Sequence, residues 1–128
     1  MGTTLDWPNR PAAGGNDLQI TERSEGAALV LSPQGRIDND TAQGFQARLL
    51  AGLNAPGSVV VVDLAGVEYM SSAGLRALMV ASKQAKANQG KVGVAALQSV
   101  VKEIFAISRF SFVVPVFDTP AAALAKLG

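Results

Sequence analysis

The sequence has no cysteine and no histidine among its 128 residues. Without thiols there is no disulfide framework, no thiolate nucleophile and no cysteine-bearing zinc site. Without imidazole there is no Ser–His–Asp triad. A carboxylate-only hydrolase or a magnesium site remains conceivable, because those need only Asp and Glu. An excess of one charge sign is missing too: eleven Lys and Arg stand against ten Asp and Glu, a formal net charge of +1. That gives no strong basic field to recruit nucleic acid, so no direct nucleic-acid partner is expected. No apolar run has the length that crosses a bilayer, so membrane insertion is not expected. The N-terminus lacks the charged-then-apolar pattern of a secretory signal, which predicts a cytoplasmic location. Asp6 stands where a myristoylation motif takes Ser or Thr, so the motif is broken.

What is present is enough apolar sequence, 48% of the residues, for one domain with a modest core. Residues 1–17 hold Pro8, Pro11, Gly14, Gly15 and the single Trp, Trp7, and read as a disordered tail. The folded domain is expected over residues 18–128.

From Leu18 onward, strand-like and helix-like segments alternate. Residues 18–21 and 27–31 predict an opening hairpin turned near Ser24, Glu25 and Gly26. Pro33 predicts a bulge or an edge position before Gly35. Asp40 or Thr41 then caps a helix, with Gln43 placed as in a capping box, and Ala42, Phe45, Leu49 and Leu53 form its apolar stripe. Val59-Val60-Val61-Val62 is a continuous β-branched run, the mark of a central strand covered on both faces. A loop is expected through residues 67–70, a helix over 72–88, a strand over 92–95 and a helix over 99–108. Residues 112–117 predict an edge strand, because Pro115 cannot donate to a ladder. Thr119-Pro120 opens a last short helix, Thr119 as N-cap and Pro120 at its first position. The alternation gives an α/β domain with a mixed, mostly parallel sheet and about four helices. In such folds the loops at the carboxyl ends of the strands meet at one edge, here those around Asp38 and Ser72.

The most informative stretch is Asp63-Leu64-Ala65-Gly66-Val67-Glu68-Tyr69-Met70-Ser71-Ser72-Ala73-Gly74-Leu75. It carries two serines to the start of a helix, where unpaired backbone N–H groups and the dipole favour negative charge. Ser at such a position reads first as a cap, and one of the pair is expected to be one. Gly74 lies in the first helical turn, where Gly is costly, so something must approach the backbone there. At about 100° per residue, Leu75, Leu78, Ser82 and Ala85 form an inward face. Ser72, Arg76, Met79, Lys83 and Lys86 form another. This second stripe reads either as a partner-docking surface or as a solvated helix face. An enzyme would have to use Asp38, Asp63 and Glu68, yet no phosphate-binding Gly loop and no matched acid–base pair accompany them. A non-enzymatic protein, without catalytic residues, cofactor or metal, is expected.

Four segments, in order, resemble a STAS domain of the anti-sigma factor antagonist family over residues 18–128. They are Gly35-Arg36-Ile37-Asp38, the strand and serine motif from Val59 to Leu75, the stretch from Val94 to Phe105, and that from Phe112 to Leu124. The resemblance implies a partner-switching regulator of transcription. The unphosphorylated protein binds an anti-sigma factor that is itself a serine kinase, the kinase phosphorylates it and lets go, and a PP2C-type phosphatase resets it. By this resemblance Ser72 is the phosphoacceptor, with Ser71 as the alternative. Asp38, Asn39, Ser71, Ala73 and Gly74 are its neighbours. Ser71 stands where the family often has Asp. Some STAS domains are instead constitutive adaptors, for example subunits of lipid-trafficking transporters, and that is the alternative reading. Monomer and weak dimer both remain open.

Overall fold

The computed structural model describes residues 18–128, and the tail expected over 1–17, with Trp7, lies outside the described residues. The opening hairpin pairs β1 (Gln19–Glu25) with β2 (Ala28–Ile37), antiparallel. β1 runs to Glu25, so the turn is Gly26-Ala27, with Gly26 at φ +63. A two-residue connection needs such a positive φ, which Gly takes without strain.

β2 continues through Pro33, which does not interrupt it. The reason lies in its neighbours. β3 (Val59–Asp63) pairs in parallel with β2 only as far as Leu31. β4 (Val67–Met70) takes over from Gly35. Pro33 falls in the gap between them, where neither parallel partner asks for its missing N–H. The expected bulge comes two residues later, as a register shift between Gly35 and Arg36, with Gly35 at φ +118. The strand β4 replaces the loop expected over 67–70. It forms because the carboxyl half of β2 is left open once β3 ends, and unpaired backbone seeks that edge.

The sheet continues through β5 (Lys91–Ala95) to the edge strand β6 (Val116–Phe117), in the order β1-β2-β3-β5-β6 with β4 on β2. Alternate residues of the Val59–Val62 run serve two cores. Val60 and Val62 face the main cluster and Val61 a second one, all three fully buried. α1 (Ala42–Gly52), α2 (Ser72–Ala87) and α3 (Ser99–Ser108) supply the main cluster through Phe45, Leu49, Ala77, Leu78, Val101 and Phe105. α4 (Pro120–Leu127) closes the opposite face, where Ala123 packs with Val30, Val61 and Ala95.

β6 is shorter than the strand expected over 112–117. Arg109 adopts the left-handed conformation and ends α3, and residues Phe110–Phe112 form a 3-10 turn. Phe110 turns inward and stacks edge-on against Phe105 at 5.4 Å. Pro115 contributes only its carbonyl, which accepts from the Val94 amide at 3.0 Å. The last helix starts as expected, the Thr119 hydroxyl accepting from the Ala122 amide at 3.0 Å.

α1 and α2 are joined by polar side chains. Gln84 Nε2 donates to Leu50 O at 3.1 Å, and Asn88 Nδ2 donates to Leu53 O at 2.8 Å. Asn88 thereby satisfies Leu53 O, which the end of α1 would leave without a partner, while Leu50 O also accepts from the Leu53 amide at 3.1 Å.

Candidate functional site

The parallel pairing of β2 with β4 builds the site. Ile37 lies opposite Met70 in the last rung, and the Ser71 amide donates to Ile37 O at 2.8 Å. Asp38 and the two serines therefore meet at the carboxyl edge of the sheet, as the topology predicts.

Asp38 is half-buried, and its carboxylate is used locally. Oδ1 accepts from the Asp40 amide at 3.0 Å and the Thr41 amide at 3.3 Å. The Thr41 hydroxyl accepts from the Asp38 amide and donates to Arg36 O, both at 2.9 Å. This corrects the expected cap. Thr41 occupies the N-cap position of α1 but makes no side-chain cap bond, and Asp40 and Gln43 close no capping box. Thr41 faces back into the loop because Asp38 already covers the amides at the helix start. Asn39 and Asp40 are exposed.

The two serines divide the work at the start of α2. Ser71 is the N-cap, with extended backbone, and its hydroxyl accepts from the Ala73 amide at 3.2 Å. Ser72 is the first helical residue, its side is exposed, and its hydroxyl makes no hydrogen bond with a described residue. Ala73 is half-buried and Gly74 fully so. A Cβ on Gly74 would sit 2.6 Å from Met70 Cγ and 2.8 Å from Ile37 Cγ2. The close approach expected at Gly74 is thus made by the ends of β2 and β4.

Farther along α2, Arg76, Met79, Lys83 and Lys86 are all exposed on one side, continuous with Ser72. The opposite face differs in part from the expectation. Leu78, Ser82 and Ala85 are buried, but Leu75 is only half-buried, and the centre of the face shifts to Gly74, Ala77 and Ala81. Small residues let the helix lie close to α1 and the sheet, so the tightest packing falls on them and not on the largest apolar side chain.

The remaining acidic candidates are not gathered here into a second centre. Asp63 Oδ1 accepts from the Ala65 amide at 3.0 Å and shapes the turn out of β3, and Glu68 is exposed on β4. Among the described residues no group of three or more Asp or Glu could hold a metal ion. One pair escaped the sequence reading. The Arg36 guanidinium lies over the Tyr69 ring, 4.6 Å from its centroid. These residues are register partners, two positions before Asp38 and Ser71. Their contact could be read only once residues 67–70 were known to be a strand.

The family model described as STAS domain matches residues 19–123. A Bordetella bronchiseptica protein named as an anti-sigma factor antagonist, BtrV, is 32% identical over 108 residues, 84% of this chain and 93% of that protein. An anti-sigma factor antagonist of Mycobacterium paratuberculosis superposes with a TM-score of 0.78 at 22% identity, covering 91% of this chain and 98% of that one. The anti-sigma factor antagonist SpoIIAA, solved in its unphosphorylated form, gives a TM-score of 0.69 at 12% identity, over 84% of this chain and 95% of the other. The solved structures agree with the α/β fold described above, and the sequence matches extend through the serine motif. The chain is a STAS domain of the anti-sigma factor antagonist family.

Proposed function

We propose that this domain is a non-enzymatic switch that binds an anti-sigma factor when Ser72 is unmodified and releases it when Ser72 is phosphorylated. The anti-sigma factor is itself the serine kinase, a PP2C-type phosphatase restores the hydroxyl, and the exchange takes place in the cytoplasm. The observation that carries this reading is the division between the serines: Ser71 caps α2 while the exposed Ser72 hydroxyl is left unbonded. A kinase needs a reachable hydroxyl, and Ser72 offers one without breaking a cap.

The partner sits over Ser72 and along Arg76, Met79, Lys83 and Lys86. Asp38, Asn39, Ala73 and Gly74 form the floor and rim around the acceptor. Phosphorylation adds about −1.5 to −2 charges at one point of that surface. A hundredfold loss of affinity corresponds to about 2.7 kcal/mol. An unpaired phosphate pressed into an interface supplies a penalty of that order. No refolding is needed, so both forms share one backbone.

The test is affinity for a kinase-type anti-sigma factor from the same genome, measured with wild type, Ser72→Ala and a variant carrying phosphoserine at position 72. Tight binding by the first two and a loss of about a hundredfold in the third is the expected result. Equal binding by all three would replace the switch with a constitutive adaptor.

A further inference from the structure

Helix α2 contains no acidic residue along Ser72–Ala87. Its exposed side presents Arg76, Lys83 and Lys86 around Met79, which is 39% exposed. The ion pairs among the described residues are Arg23 with Glu25 and Arg48 with Glu22, both elsewhere. No described carboxylate lies within salt-bridge distance of the three α2 cations. Asp38 and Asp40 stand where β2 hands over to α1, at the carboxyl edge of the sheet. Asp38 is engaged there with the Asp40 and Thr41 amides. The exposed side of α2 therefore carries positive charge with no described carboxylate paired to it.

We propose that the partner surface seated on α2 is acidic around an apolar socket, with carboxylates opposite Arg76, Lys83 and Lys86 and apolar side chains over Met79. This rests on the partner-switching reading and names the chemistry of its partner. Unpaired cations around one exposed apolar side chain match a surface of opposite sign, and complementarity of this kind sets encounter rate and register. It also explains the effect of a phosphate. Arg76 lies one helical turn from Ser72, so carboxylates drawn to Arg76 would face the new negative charge directly. The same acidic surface is attracted by the bare helix and repelled by the modified one.

Two other anionic occupants fit less well. A bilayer would need an apolar helix face to bury, and α2 spends its apolar face on the core, leaving Met79 alone outside. Nucleic acid binding draws on many phosphate contacts, and three cations on a chain of net charge +1 supply few.

The experiment measures affinity for the anti-sigma factor across about 50 to 500 mM salt. It uses wild type, Arg76→Gln/Lys83→Gln, Met79→Ala and Met79→Asp. All three positions are exposed, and circular dichroism confirms that each variant is folded. Wild-type affinity is expected to fall as salt rises. The Gln pair should bind about tenfold more weakly at low salt with a shallower salt slope. Met79→Ala should weaken binding without changing the slope, and Met79→Asp should weaken it further. A Gln pair with wild-type affinity and slope overturns this inference while leaving the switch at Ser72 intact. Failure of unmodified wild type to bind any anti-sigma factor overturns the underlying reading, and this inference with it. Vesicles of phosphatidylcholine with about 20% phosphatidylglycerol complete the test. Binding to them that is lost in the Gln pair, with anti-sigma affinity unchanged, assigns the face to lipid and overturns the proposal.

Discussion

Ser71 caps helix α2 by accepting a hydrogen bond from the Ala73 amide at 3.2 Å. The neighbouring Ser72 makes no such bond among the described residues and faces outward. Two adjacent hydroxyls that look alike in the sequence are therefore different in the fold, one bonded in the cap and the other exposed and unbonded.

Substitutions should separate those roles. Ser71→Ala removes the cap acceptor and is expected to cost about 1 kcal/mol of stability. Ser72→Ala removes an unbonded exposed hydroxyl and should change stability by less than about 0.5 kcal/mol. Urea unfolding of the variants gives both numbers. Phosphosite mapping by mass spectrometry after treatment with the kinase should still find the phosphate on Ser72 in Ser71→Ala. If Ser72→Ala proves the more destabilising, the assignment of cap and acceptor is reversed.

Gly74 gives a second test, because two effects oppose each other. In an open helical position Gly→Ala stabilises by up to about 1 kcal/mol. Here the added Cβ would meet Met70 Cγ at 2.6 Å and Ile37 Cγ2 at 2.8 Å, distances at which something must move. Ile37 is β-branched and fully buried, so it cannot swing aside. Overpacking of this kind costs about 1–3 kcal/mol, and it should win. Gly74→Ala should therefore lower the unfolding midpoint, and the drop it causes should be smaller when it is made in a Met70→Ala background, itself less stable than wild type. A stabilised Gly74→Ala protein would mean that the strand ends yield more easily than their burial implies.

Much of the fold was legible because the sequence states it locally. The unbroken Val59–Val62 run marks a strand covered on both faces, and Thr119-Pro120 fixes a helix start to the residue. The opening hairpin and the span of α3 follow in the same way. What was not legible depends on distant partners. Four residues became β4 only because β3 leaves the end of β2 unpaired, a fact of register that no local pattern carries. The pairing of Arg36 with Tyr69 was hidden for the same reason. The closing strand shrank because Phe110 had a better use inside the core. On the inward face of α2, Leu78, Ser82 and Ala85 are legible from spacing, whereas the part of Gly74, Ala77 and Ala81 is not, because close approach and not side-chain size governs that contact. At the site, position was readable and role was not. The motif brought Asp38, Ser71 and Ser72 to one edge, but only the hydrogen bonds say which serine is the cap.

The role of Asp38 is the remaining distinction to draw by experiment. Two contributions are to be told apart, its charge near the proposed acceptor end of α2 and the oxygen that holds the loop. The geometry gives the oxygen a definite task, since Oδ1 accepts from the Asp40 and Thr41 amides at 3.0 and 3.3 Å. Asp38→Asn keeps an acceptor oxygen of the same shape and removes the charge, whereas Asp38→Ala removes both. If the oxygen dominates stability, Asp38→Ala should cost about 1–2 kcal/mol and Asp38→Asn well under half of that. The charge should show instead in kinase kinetics. On the proposed switch, Asp38→Asn keeps an unfolding midpoint near wild type while changing the rate at which Ser72 is phosphorylated. Equal destabilisation by Asn and Ala would show that the loop depends on the ionised carboxylate itself. Unchanged kinetics in Asp38→Asn would confine Asp38 to holding the start of α1.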